Sequence, residues 1–363
     1  MAKRASVDKT LFIVTLVLLF TGLVMVFSAS AVMAHERYGS PYTFLLRQLF
    51  WGIAGLVAMV GLLKVDYRKL KHPAIIFSLM GIVTLLLLAA FFLDRSHNTH
   101  RWIHFGAFSL QPSELAKPAL ILFLAWFLHG RLNEIRDWRR TLLPAAVPVI
   151  FFAGIIALQP DLGTAIACLA IALTVFFVAG MQARYFAYAF AASLLPLYFL
   201  LFRVQWRYER LVAFINPYSD PQGTGFHIIQ SLIAVGTGGF TGVGLMEGKQ
   251  KLFYLPEPHT DFIFAVVAEE LGLIGSLVIV ALFVIFFVRG MKAAFATSDP
   301  HARLLATGIT AMVVVQALMN ISVVLALMPT KGIPLPFISY GGSSLFVTLA
   351  SVGVLLNITQ RTQ

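Results

Sequence analysis

The chain has 363 residues, of which 59% are hydrophobic and 12% charged. Soluble domains carry about 45–50% apolar and 25% charged residues, so a single soluble domain, a disordered chain and a coiled coil are excluded. A bilayer span takes about 20 apolar residues. The net charge of +11 lies in short clusters between apolar runs, which is the pattern of a polytopic membrane protein and not of a nucleic-acid binder.

Lys3, Arg4 and Lys9 precede an apolar run from Leu11 to Phe27, and Ala29-Ser30-Ala31 imitates a signal cleavage site. The run exceeds the roughly 7–15 residues of a signal core, so an uncleaved first membrane helix is expected. Further apolar runs follow at 44–63, 73–93, 113–129, 142–158, 164–180, 186–202, 262–288, 303–325 and 343–358. Their length and continuity predict helices, because a membrane barrel alternates in segments of about ten residues. The expected fold is an all-α polytopic membrane protein of ten transmembrane helices, with one domain over 1–363 and one long loop, 203–261, between the seventh and eighth spans. With the N-terminus inside, sixteen of the 27 Lys and Arg fall in inside segments and six in short outside ones. Both termini are therefore expected in the cytoplasm and the long loop outside. No internal repeat suggests a transporter. The lone cysteine, Cys168, lies in an apolar run and reads as a small core residue.

Three outside segments carry the polar chemistry. The stretch 94–112 is polar and aromatic, 203–261 contains the glycine-rich tract GTGGFTGVG at 236–244, and 326–342 holds Pro329, Pro334, Pro336 and Gly341-Gly342. No P-loop, dinucleotide fingerprint, H-E-x-x-H or G-x-S-x-G motif is present. His97, His100 and His104 lack a carboxylate or thiol at firm spacing, so a histidine metal site is not expected.

Asp261 ends the long loop directly before an apolar run. It reads either as a helix N-cap, held ionised by the helix dipole, or as a base at the outer membrane surface. Glu114 and Lys117 lie three apart on one helix face, as a local ion pair or a functional pair. Asp161, in a very short turn, reads as turn chemistry. Glu269 and Glu270 cannot both share a face with Asp261, so at least one needs a buried partner. Arg203, Arg207 and Arg210, interleaved with Trp206 and Tyr208, fit either an anionic headgroup or interfacial anchoring. The segment 332–344 cannot be a regular helix. It is expected to line the site and offer donors from Ser339, Ser343 and Ser344.

QPSELAK at 111–117, QPDLGTA at 159–165, PHTDFIFAVVAEELGLIG at 258–275 and the run from Asn320 through MPTKGIPLPFISYGGSS to Ser344 resemble the SEDS family (shape, elongation, division and sporulation) over nearly the whole chain. FYLPEPHTDFIFA and LMPTKG look more like its FtsW division branch, with the RodA elongation branch as the alternative. The resemblance implies a peptidoglycan glycosyltransferase acting on lipid II, with Asp261 as base and Glu114 and Lys117 as the cavity pair. Arg101, Lys117, Lys331 and Ser343 become candidates for holding the anionic donor. A divalent cation, magnesium or manganese, would sit at the diphosphate, though no motif marks its site. The implied protein partner is a class B penicillin-binding protein. A lipid II flippase and a non-catalytic division scaffold are the rival classes.

Overall fold

The computed structural model describes residues 7–94, 100–106 and 108–361. Twelve α-helices account for most of them: α1 (Lys9–Tyr38), α2 (Thr43–Lys64), α3 (Pro73–Leu93), α4 (Pro112–His129), α5 (Leu143–Leu158), α6 (Leu162–Val178), α7 (Ala183–Phe202), α8 (Gln205–Ile215), α9 (Phe226–Gly238), α10 (Ile263–Ala296), α11 (Pro300–Val324) and α12 (Gly342–Thr359). Each of the ten expected apolar runs coincides with a helix. Eight helices, α5 counted with the turn before it, are long and apolar enough to cross a membrane. The other two runs are α4, which carries Glu114 and Lys117, and α6, which has 17 residues. The expected long loop is partly helical, since it holds α8 and α9. The 94–112 segment forms a small antiparallel hairpin of β1 (Ile103–Phe105) and β2 (Phe108–Leu110).

The helices begin where local chemistry stops them fraying. Asp8, Asp161 and Asp299 each accept a backbone N–H from the first turn of α1, α6 and α11, filling donors that a helix leaves open. Helix α1 runs unbroken through Ala29, Ser30 and Ala31, all buried, and packs on α2 and α10. Helices α11 and α12 form the buried centre, whereas α7 buries none of its side chains against protein. Large exposed apolar residues such as Phe92, Leu158, Phe177 and Phe190 cover the outer faces, as lipid contact requires. Cys168 is buried in α6, as expected.

Two departures from regular helix shape the molecule. Helix α10 breaks at Gly272, whose φ of 65° and ψ of −164° only glycine adopts readily. The glycine-rich tract docks on this break: Leu273 and Ile274 donate to the carbonyls of Gly239 and Phe240, while Val243 and Gly244 donate to those of Glu269 and Glu270. The second departure is the non-helical run before α12, which packs against protein as expected. Leu335, Phe337 and Ile338 are buried there, and a Cβ at Gly22 of α1 would collide with the Phe337 carbonyl.

Candidate active site

One end of the helix bundle gathers the polar outer segments. Asn320, at the end of α11, donates through Nδ2 to the carbonyls of Asp261 and Ile333, both at 2.8 Å. The Ser339 hydroxyl donates to the Thr260 carbonyl at 2.6 Å and accepts from the Leu335 amide at 2.8 Å. Tyr340 donates its amide to the His259 carbonyl. Gln48 of α2 donates to the Ser339 carbonyl at 3.0 Å and accepts from Gly341. Backbone bonds thus hold residues 259–261 in place and leave the Asp261 side chain free.

That side chain is not a helix cap. The N-cap of α10 is Phe262, with no side-chain capping bond. Among the described residues no donor or cation pairs with the Asp261 carboxylate. The expectation that a helix dipole would hold it ionised is also reversed. Burial, then the nearby Glu257 charge, push it up to about 7, while Arg101 and Arg210 pull the other way. Desolvation disfavours the carboxylate more than these cations restore it.

Gly332 borders the carboxylate. A Cβ built there would lie 2.9 Å from Asp261 Oδ2, so glycine leaves that face of the acid open. Lys331, the preceding residue, is partly buried, and burial lowers its pKa. Neither Lys331 nor Arg210 forms an ion pair among the described residues. Arg210 lies over the Trp206 ring at 5.1 Å, and its own pKa is lowered by desolvation and by the Arg101 charge, with Asp261 pulling the other way. Arg101 is more committed. Its Nε donates to the Gln159 carbonyl at 3.1 Å, its Nη2 donates to that of Pro160, and its amide is held by Asp94 at 2.7 Å. Arg207 braces the carbonyls of Leu200 and Ala157. Of the three arginines in the basic aromatic segment, Arg207 is therefore structural, while Arg203 and Arg210 are exposed and form no ion pair among the described residues.

The other sequence candidates are placed differently. Glu114 and Lys117 pair at 2.8 Å with side chains only 2% and 1% exposed, inside the protein and not on an open surface. Ser343 is buried, and its Oγ accepts the Gln111 amide at 3.3 Å. Ser339 thus braces the site and is not the open donor expected, since its proton goes to the Thr260 carbonyl. Asp161 caps α6 and accepts from Gln111 Nε2 at 3.2 Å, as turn chemistry predicted. His97 lies outside the described residues. No group of three His, Cys, Asp or Glu is placed to hold a metal among the described residues.

The family profile described as cell cycle protein, spanning FtsW, RodA and SpoVE, matches residues 8–363. The chain belongs to this family. It is 44% identical over 358 residues to the probable peptidoglycan glycosyltransferase FtsW of Geobacter metallireducens, covering 98% of this chain and 95% of that one. It is 42% identical over 360 residues to stage V sporulation protein E of Bacillus subtilis, covering 99% and 98%. Among solved structures, a chain from a peptidoglycan synthase complex that coordinates polymerization and crosslinking superposes with a TM-score of 0.81 at 31% identity, covering 98% of both chains. The rod shape determining protein RodA of Thermus thermophilus gives 0.71 at 29% identity, covering 98% and 97%. The SEDS resemblance of the motifs is therefore family membership, and the protein is a multi-pass membrane protein.

Gly332 and Asn320 were not singled out by sequence reasoning. Gly332 has no side chain to draw attention, and its one signal is its position between Lys331 and the proline-rich run. Asn320 sits within an apolar helix, where an amide needs partners, and that isolation was its signal.

Proposed function

We propose that the protein is a peptidoglycan glycosyltransferase that polymerises lipid II at the outer face of the cytoplasmic membrane. The observation that carries this reading is the unpaired Asp261 carboxylate, raised to about 7 with the Arg101 and Arg210 charges near it, against Gly332, whose chain neighbour is the uncommitted Lys331. A base is most effective when its pKa lies near the working pH, and a diphosphate leaving group needs fixed positive charge.

In the reaction the acceptor is the 4-hydroxyl of the GlcNAc of an incoming lipid II. Asp261 takes its proton as the oxygen attacks C1 of the lipid-linked MurNAc donor. The C1–O bond to the diphosphate breaks, and undecaprenyl diphosphate leaves with the bonding pair. An α-linked donor becomes a β-1,4 product in one displacement, with inversion. Lys331 and Arg210, with Arg101 as scaffold, steady the departing diphosphate. A divalent cation carried on the diphosphate would add positive charge there. Glu114 and Lys117, paired and buried, are kept as a buried charge pair of α4 and are given no contact with the reacting atoms.

The division branch is favoured by the relatives named FtsW, at 36–44% identity, beside a sporulation protein at 42%. The synthase complex supports a class B penicillin-binding protein as partner. Termini inside and the cleft outside follow from the lysine and arginine distribution.

The test uses purified full-length protein, with its cognate penicillin-binding protein and labelled lipid II. Wild type makes glycan polymer, and Asp261→Asn, folded and partner-bound, makes none. Equal polymer from both removes Asp261 from the chemistry. No polymer from folded wild type moves the reading to a flippase or a scaffold.

A further inference from the structure

The two glutamates that follow the candidate base are both buried, and a short segment of the long loop, with Ser28 of α1, supplies their partners. Glu270 accepts the Ser28 hydroxyl of α1 at 2.7 Å, the Lys251 ammonium at 2.6 Å and the Met246 amide at 3.0 Å. Lys251 also donates to Ser28 Oγ at 2.9 Å. Glu269 accepts the Lys249 and Gln250 amides at 2.9 and 3.2 Å. The Lys251 and Glu270 side chains are 4% and 0% exposed.

A buried ion pair is a poor way to gain stability, because desolvation cancels much of the attraction. Fixing one conformation is a better account of its presence. The pair closes a loop on itself. The chain leaves Lys251, reaches Asp261 ten residues later, turns down the first stretch of α10, and returns to Lys251 at Glu270 nine residues further on. Every residue from Phe262 to Glu270 is buried, so this stretch transmits displacement as a unit. Its lower end is isolated from the rest of α10 by the break at Gly272. The stretch is thus held at its Asp261 end by the Asn320, Ser339 and Tyr340 bonds and at its Glu270 end by the ion pair with Lys251.

We propose that Lys251, Glu270 and Ser28 form a clamp that positions the Asp261 carboxylate for proton abstraction. All three act through the 262–270 stretch and touch no substrate, so they are positioning residues. The proposal rests on the glycosyltransferase reading for its catalytic consequence and on the geometry alone for its mechanical one.

The experiment compares full-length wild type with Lys251→Met/Glu270→Gln, which removes both charges at similar volume, alongside Lys251→Arg. Lipid II polymerisation is followed with the penicillin-binding protein present. Displacing a reacting group by about 1 Å costs on the order of 100-fold in rate. The double variant is expected to lose roughly 10- to 100-fold in kcat, with KM within about twofold and a melting temperature near that of wild type. Lys251→Arg, which keeps the charge, is expected to recover much of the rate. A double variant within about twofold of the wild-type kcat overturns the proposal. If the double variant does not fold, Ser28→Ala is read instead: a several-fold lower kcat at unchanged KM is expected, and an unchanged kcat overturns it. Amide hydrogen exchange over 252–262 gives a readout independent of activity. Faster exchange there in the variants supports the clamp, and unchanged exchange overturns it. If wild type makes no polymer, the function fails while this second arm still decides the clamp.

Discussion

The two ends of the helix bundle treat charge differently. At the end away from the cleft, Asp8 pairs with Arg289 at 2.6 Å, Asp66 pairs with Arg361 at 2.8 Å, and Asp299 accepts the Tyr67 hydroxyl at 3.1 Å. These contacts tie the N-terminal segment, the α2–α3 connection and the ends of α10 and α12 together. At the cleft end, Asp261 lacks a partner, and Lys331 and Arg210 pair with no carboxylate among the described residues. A paired charge holds structure, whereas a half-buried carboxylate left unpaired, as at Asp261, costs free energy that protonation or a ligand recovers.

That contrast breaks most sharply at Asp261. A positioned general base contributes about 10²–10⁴-fold, so Asp261→Asn should lose at least that much in polymerisation with no loss of thermal stability. Equal rates for the two proteins would end the contrast. Gly332→Ala should come next. The added methyl must push the carboxylate aside, a cheap movement for folding and an expensive one for catalysis, with a loss on the order of 10–100-fold. The check is kcat beside the melting temperature, and a normal kcat would mean that the carboxylate does not work in its observed position. Lys331→Ala and Arg210→Ala should each weaken lipid-linked diphosphate by about tenfold in kcat/KM, measured with a saturating second substrate. At the opposite end, Asp66→Asn keeps the cap on the Arg68 amide and loses only the pair with Arg361. A partly exposed pair contributes about 0–1 kcal/mol, so a small fall in melting temperature with unchanged kcat is expected. A large rate loss there would show that the two ends are coupled.

Much of this architecture was legible in the sequence, because membrane helices announce themselves as continuous apolar runs. The position of Asp261 at the loop–helix boundary was legible too, as was the need of Glu269 and Glu270 for buried partners. The partner itself was not, because Lys251 lies nineteen residues from Glu270 in a loop whose path no periodicity encodes. The break at Gly272 was equally hidden, since the apolar pattern runs straight through it and the backbone bonds that require it come from Gly239 to Gly244. Ser339 was misread for a related reason. A hydroxyl in a proline-rich turn reads as an available donor until the Thr260 carbonyl that takes its proton is seen. Asp261 read as a possible cap because residue type and position fit one, yet the chain turns one residue later, at Phe262.

On the proposed reading, Asp261 works as a base because burial without a partner has raised its pKa. The direct test is the pH dependence of kcat/KM for lipid II polymerisation between pH 5 and 9. Protonation removes the base, so with its pKa at about 7 the rate should fall about tenfold per pH unit below that value. The limb should shift when Glu257, the charge that adds to the raised value, is changed to Gln. A rate that stays flat from pH 5 to 8 would contradict the account, because a carboxylate already fully ionised at pH 5 could not be the group raised by its surroundings.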